Sequence, residues 1–252
     1  MFAAARLPLT ALREGFSLWP IAISLFISLV FGVVVWSLRA ASAGAIAVGI
    51  LACFLLSQPS PTAGGTFALR LGRTALPALI SVFVISYVTT RYGRAGKEAQ
   101  GLAEKRKGRY ASQIVANLGV AALFATTGHC EGCIAALAEA GADTASSEFG
   151  QAVGGSVRLL TTLKTVPPGT NGGISLAGSI AALLAAGIIV AVGSIHNALG
   201  PHATVVFLSA FAGVLFDSLL GATIENKGWI GNDLVNFAST LFAAVLATLL
   251  SS

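Results

Sequence analysis

Gly172-Gly-Ile-Ser-Leu-Ala-Gly-Ser-Ile-Ala-Ala-Leu-Leu-Ala-Ala-Gly-Ile-Ile-Val-Ala-Val-Gly-Ser-Ile195 runs for 24 residues without a charged side chain. A bilayer core about 30 Å thick is crossed by roughly 20 apolar residues rising 1.5 Å each, so this run predicts a membrane-spanning helix. Similar runs lie on both sides of it: Phe16–Leu38, Ala40–Leu56, Ala75–Thr90, Ala111–Thr126, Gly132–Gly150, Ala203–Thr223 and Asp233–Leu250. The reading is an all-α, polytopic transmembrane bundle of eight spans, with six or seven as the alternatives. It forms a single membrane domain over residues 1–252, in which Met1–Gly15 is expected as an interfacial helix carrying Arg6, Arg13 and Glu14. A membrane β-barrel is not expected, because its strands alternate apolar and polar residues and these runs are continuous. The 29 glycines, with abundant Ala and Ser, suit close helix packing in lipid.

Composition agrees. Hydrophobic residues make up 55% of the chain and charged residues 10%, with a mean hydropathy of +0.84. Soluble domains carry about 25% charged residues, so a water-soluble enzyme is excluded. A disordered chain is excluded for the same reason, and three cysteines are too few for a disulfide scaffold.

The net charge of +5 reflects topology more than nucleic-acid binding. Seven of the fifteen basic residues, Arg91, Arg94, Lys97, Lys105, Arg106, Lys107 and Arg109, fall in one short loop. The positive-inside rule makes that loop cytoplasmic. Alternation then puts Gln151–Asn171 and Ile224–Asn232 on the same side, with His129, Cys130, His196 and His202 opposite. Arg6 and Arg13 would then lie outside, against the rule. Short loops and the lack of a transit or signal peptide predict a bacterial inner membrane. Ser57–Gly65 reads as a turn-rich connection.

Acidic residues inside spans are costly and therefore mark function. Asp143 and Glu148, in Ala-Asp-Thr-Ala-Ser-Ser-Glu-Phe-Gly, and Asp217, in Asp-Ser-Leu-Leu-Gly-Ala, are expected near the cytoplasmic helix ends. Asp143 shares a helix face with Ser147, and Thr144 with Glu148. Asp143 and Glu148 point about 140° apart on a regular helix, so both reach one ion only if the helix breaks.

The loop Thr165-Val-Pro-Pro-Gly-Thr-Asn-Gly-Gly-Ile-Ser175 leads into a helix N-terminus. Free amides of Gly169, Thr170, Asn171, Gly172 and Gly173, with Ser175, suit phosphate binding, and Arg158 and Lys164 add cations. Asn232 and Asp233 are placed either as caps of the last helix or as site residues. Asn236 lies one turn further in. His129-Cys-Glu-Gly-Cys133 is only half a zinc site, so free thiols or a loop disulfide are expected there; Cys53 is read as packing.

Taken in order, Ala-Asp-Thr-Ala-Ser-Ser-Glu-Phe-Gly, Val-Pro-Pro-Gly-Thr-Asn-Gly-Gly-Ile-Ser, Asp-Ser-Leu-Leu-Gly-Ala and Asn-Asp-Leu-Val-Asn-Phe resemble the membrane-protein family that contains plant and cyanobacterial phytyl-phosphate kinase. Tyr110-Ala-Ser-Gln-Ile-Val-Ala-Asn117 is similar to that family's Gln-Val-Leu-Ala-Asn stretch, so the resemblance runs from about Ser81 to the C-terminus. Ala145 stands where the family often has Trp, and Glu225 where it often has Gln.

The resemblance implies transfer of a phosphoryl group from a nucleoside triphosphate, CTP by further similarity to dolichol and phytol kinases, to an isoprenyl monophosphate. On that reading Asp143, Glu148 and Asp217 hold Mg²⁺, and Lys164, Arg158 and the Gly169–Gly173 backbone cradle the triphosphate. Lys97, helped by Arg94, takes the acceptor phosphate. Asn117, Thr144, Ser147, Ser218, Asn232 and Asn236 give polar support, and the lipid tail lies between small-residue helix faces. Two alternatives stay open: another CTP-using lipid enzyme (a lipid-alcohol kinase or cytidylyltransferase), and an ion-coupled transporter, since intramembrane carboxylates and broken helices also mark carriers.

Overall fold

The computed structural model describes residues 19–58, 74–103, 109–197 and 199–252. The expected interfacial helix, most of the Ser57–Gly65 connection, and Lys105, Arg106 and Lys107 lie outside the described residues, as does the His196 side chain. In chain order the helices are α1 (Trp19–Ser37), α2 (Ala43–Leu56), α3 (Leu76–Arg91), the short α4 (Arg94–Ala99), α5 (Ala111–Thr126) and α6 (Cys130–Val153). Three short strands follow, β1 (Val157–Leu159), β2 (Thr165–Val166) and β3 (Gly173–Ile174). The chain ends with α7 (Leu176–Asn197), a 3₁₀ turn, α8 (Ala203–Leu220), a π-helical turn (Gly221–Glu225) and α9 (Asn232–Leu250).

Each expected span contains one long helix, but the helices differ in character. Leu176–Ile195, Gly200–Glu225 and Asn232–Leu250 are long and apolar enough to cross a membrane, whereas Ile21–Ser37, Ala43–Leu56, Leu76–Arg91 and Ala111–Thr126 are shorter apolar helices. Eight crossings therefore do not follow from length and composition. Large side chains such as Phe26, Trp36, Leu184 and Leu249 face outward, as an apolar solvent requires.

α6 is the core of the bundle. Fourteen of its 24 residues are buried, and ten of these are Ala, Gly or Thr. Their small size lets α3, α5, α7, α8 and α9 all pack directly on it. At Gly141 a Cβ would lie 2.4 Å from Ile189 Cδ1 of α7. Side-chain hydroxyls tie neighbours together, as where Thr240 of α9 donates to the Ala116 carbonyl of α5 at 3.3 Å.

The glycine loop holds a small sheet that the sequence reading did not anticipate, its strands being too short to show a period. β1 is central and antiparallel to both partners, pairing Val157 with Val166 and Arg158 with Ile174. The basic segment packs at the same end of the bundle, where Tyr92 stacks on Phe149 with ring centroids 5.1 Å apart. The α5–α6 turn lies at the other end, where His129 meets Phe124.

Candidate functional site

α6 lays Glu139, Asp143 and Ser147 along one face at four-residue spacing. α8 answers with Gly213 and Asp217, and at Gly213 a Cβ would lie 2.6 Å from Glu139 Cγ. The absent side chain thus makes room for a buried carboxylate. The π-helical turn after α8 shifts the register and brings in Glu225; such insertions recur at functional sites. Four carboxylates from α6, α8 and the π turn consequently act on one another electrostatically.

Asp143, Asp217 and Glu225 border a polar cavity of about 360 Å³ at the end of the bundle that carries the sheet, while Glu139 is buried outside its lining. α6 contributes Asp143, Thr144, Ser147 and Glu148; α8 contributes Asp217 and Ser218; α5 contributes Asn117; and α9 contributes Asn232 and Asn236. The loop closes the cavity with Gly169, Thr170, Asn171, Gly172, Gly173 and Ser175. Most of the residues singled out in the sequence therefore share one space, although they come from five segments.

The loop is held by its glycines. Pro167-Pro168-Gly169-Thr170 is a tight turn with Pro second and Gly169 third at φ +81°, closed by Thr170 N–H to the Pro167 carbonyl at 3.3 Å. Gly172 (φ +72°) crosses Gly221 at the end of α8: a Cβ on Gly172 would lie 2.2 Å from Ala222 N, and one on Gly221 2.7 Å from Gly172 N. Asn226 Nδ2 donates to the Asn171 carbonyl at 3.1 Å, anchoring the loop to the turn after α8.

Several expectations change. The N–H groups of Thr170 and Gly173 are used inside the loop, so it offers fewer free amides than its composition suggested. Ser175 caps α7, its hydroxyl accepting from Gly178 N–H at 3.1 Å. α9 starts after Gly231, and neither Asn232 nor Asp233 makes a side-chain cap. Lys97 is 1% exposed, and its ammonium donates to the carbonyls of Thr89 (3.3 Å) and Thr90 (3.0 Å) and to Glu148 Oε2 (2.5 Å). An ammonium has three donors, so Lys97 has none left for an acceptor phosphate, and Glu148 is engaged as its counter-ion. Arg94 pairs with Glu98 at 2.9 Å. Arg158 donates to the Leu163 carbonyl at 3.1 Å; both it and Lys164 are exposed on the sheet, outside the cavity lining.

Three groups were missed. Arg109 lines the cavity, with its backbone pinned to the α1–α2 turn (Ser42 N–H to the Arg109 carbonyl, 3.0 Å) and its Nη2 3.3 Å from Thr144 Oγ1. Inside a loop rich in Lys and Arg it carried no distinguishing signal. Glu139 did carry one, lying four residues before Asp143; Glu225 was visible only as a departure from the family pattern.

The cavity suits a hydrated cation bound with an anion. Asn236, which lines the cavity, has a buried Oδ1 that lacks a hydrogen-bond partner among the described residues, and a cation or its water shell satisfies such an atom. No three His, Cys, Asp or Glu side chains among the described residues are placed to hold an ion by themselves. At the far end of the bundle Cys130 and Cys133 are free thiols, as is Cys53 within α2.

Fold and cavity together define a helical integral membrane protein with a charged, polar chamber at one end of the bundle. Comparison with known proteins makes this specific: residues 26–244 match the family described as "Integral membrane protein DUF92", and the chain belongs to that family. It is 33% identical to Protein VTE6, chloroplastic, of Arabidopsis thaliana over 82% of this chain and 65% of that protein, so it spans just under two thirds of that relative. It is also 33% identical to an uncharacterized membrane protein of Synechocystis sp. over 70% of this chain and 74% of the relative. An uncharacterized membrane protein of Methanocaldococcus jannaschii is 32% identical over 68% of this chain and 74% of its own length. No solved structure matches the chain.

Proposed function

We propose that the protein is an isoprenyl-phosphate kinase, transferring the terminal phosphoryl group of CTP to a membrane-held isoprenyl monophosphate at the cytoplasmic face. An acceptor phosphate oxygen forms the new P–O bond as the bond to the nucleoside diphosphate breaks. The observation that carries this reading is the joining of Asp143, Asp217, Glu225 and Arg109 with the glycine loop around one polar cavity. Phosphoryl transfer asks for little beyond alignment of two phosphates and neutralisation of their oxygens. Asp143 and Asp217 are the residues that would hold Mg²⁺, with Asn236 alongside. Magnesium usually takes one or two carboxylates, with phosphates and water completing its shell, and it neutralises charge on the transferring group. Arg109 supplies a planar cation suited to phosphate oxygens. The remaining amides of the glycine loop contact the donor's phosphates, and Lys97 positions Glu148 instead of touching substrate.

The test is incubation of purified protein with labelled CTP, Mg²⁺ and phytyl or geranylgeranyl monophosphate. Formation of the isoprenyl diphosphate is expected. Transfer of CMP would make the protein a cytidylyltransferase, and absence of turnover with any nucleotide, alongside uptake into liposomes, would make it a carrier.

A further inference from the structure

A second space opens beside the polar cavity. It lies between α1, α2, α3 and α5 and is walled by apolar residues such as Phe31, Ala45, Ile46, Leu79 and Phe83. α1 and α3 are bridged across it by Phe31 against Phe83 (centroids 5.2 Å apart) and by Arg91 Nη2 to the Leu38 carbonyl at 2.8 Å. Arg39, Arg91, Arg94 and Arg109 also line this groove, from the segments at the polar-cavity end of the bundle. Arg109 and Asn117 line both spaces, so the groove and the polar cavity meet at these two residues. An apolar slot that carries cations at one end and borders a polar chamber matches one kind of ligand, a hydrocarbon chain ending in a phosphate.

We infer that this groove holds the isoprenyl chain of the acceptor, with its phosphate at Arg109, and that Gly49 of α2 sets how long or bulky a chain is accepted. The inference rests on the kinase reading for the identity of the ligand. Gly49 faces the groove, and a Cβ there would meet nothing within 4 Å. The open space is therefore groove volume, unlike at Gly32 on the facing helix, where a Cβ would lie 2.6 Å from Ile50. A large side chain at 49 takes the place of tail and leaves helix packing intact, and it replaces a poor helix former. Ile46, one turn earlier on α2, walls the same space, and shortening it widens the groove.

Two measurements test this. The first is the ratio of kcat/KM for geranylgeranyl monophosphate to that for dimethylallyl monophosphate. Gly49→Phe lowers the ratio about tenfold or more, the scale on which one or two methylenes are discriminated in an apolar pocket, and Ile46→Ala raises it. A ratio within about twofold of wild type in both variants overturns the inference while leaving the kinase reading intact. The second needs no turnover: a geranylgeranyl monophosphate bearing a terminal diazirine is photolysed on the full-length protein in nanodiscs. Labelling within residues 43–56 or 21–37, lost in Gly49→Phe, is expected. Labelling confined to α7 or α8, or equal displacement by phosphatidic acid, overturns the tail site. Labelling on α1 and α2 with no turnover of any nucleotide upholds the groove and overturns the kinase.

Discussion

Asp143 and Lys97 are both charged residues within an apolar chain, yet their surroundings assign them opposite duties. Asp143 opens onto the cavity with Arg109 and Glu225 as charged neighbours, so its charge is available to a ligand. Asp143→Asn should lower kcat/KM by about 10²–10³-fold, the scale of one electrostatic contact to a reacting group, with unchanged thermal unfolding in detergent. Wild-type turnover in that variant would remove Asp143 from the site. Lys97 is buried against Glu148, whose side chain borders the cavity and is 16% exposed. Lys97→Met should therefore destabilise the fold by about 1–3 kcal/mol, because it leaves a part-buried carboxylate without its charged partner. Adding Glu148→Gln should recover most of that loss, read by denaturant unfolding in micelles. A raised acceptor KM at unchanged stability would instead return Lys97 to the phosphate site.

The glycine loop acts as an element because the crossing of Gly172 and Gly221 welds it to the end of α8. Gly172→Ala forces a side chain into a left-handed backbone position, at roughly 1–2 kcal/mol, and drives its Cβ against the backbone of Ala222 and Ser218. The loop must lift away from α8, so kcat/KM should fall by about 10²-fold, the scale of a misplaced reacting group. Protease cleavage within 160–164 should speed up. Unchanged kinetics with unchanged cleavage would show that the crossing is not needed. Composition exposed this loop but not its fold: Pro-Pro-Gly predicts a turn locally, whereas three strands of two or three residues leave no periodic signal. The π turn was hidden for a similar reason, since one extra residue in a helix changes no residue type.

Across the whole molecule, the basic segment, the sheet and the turn after α8 gather at one end of the bundle, and the α5–α6 and α7–α8 connections at the other. Single cysteines in a cysteine-free background test this with a membrane-impermeant maleimide. Gln100→Cys, Thr162→Cys and Asn226→Cys should label from the same side, the cytoplasmic one by the positive-inside rule, and Thr127→Cys and Pro201→Cys from the other. Labelling of positions 100 and 162 from opposite sides would dismantle the cavity. Hydrophobic runs, charge placement and motif order were enough to establish a helical membrane bundle, its family and most of the residues that meet in the cavity, because partitioning into a bilayer depends on composition summed along each helix. Which charges border the cavity and which pair away from it is visible only in three dimensions. Lys97 and Arg109 stand in the same basic stretch, and what separates them is contact with residues far away in the chain: Glu148 for one, Ser42 and Thr144 for the other. Pairing between distant segments leaves no trace in the local pattern of a single sequence.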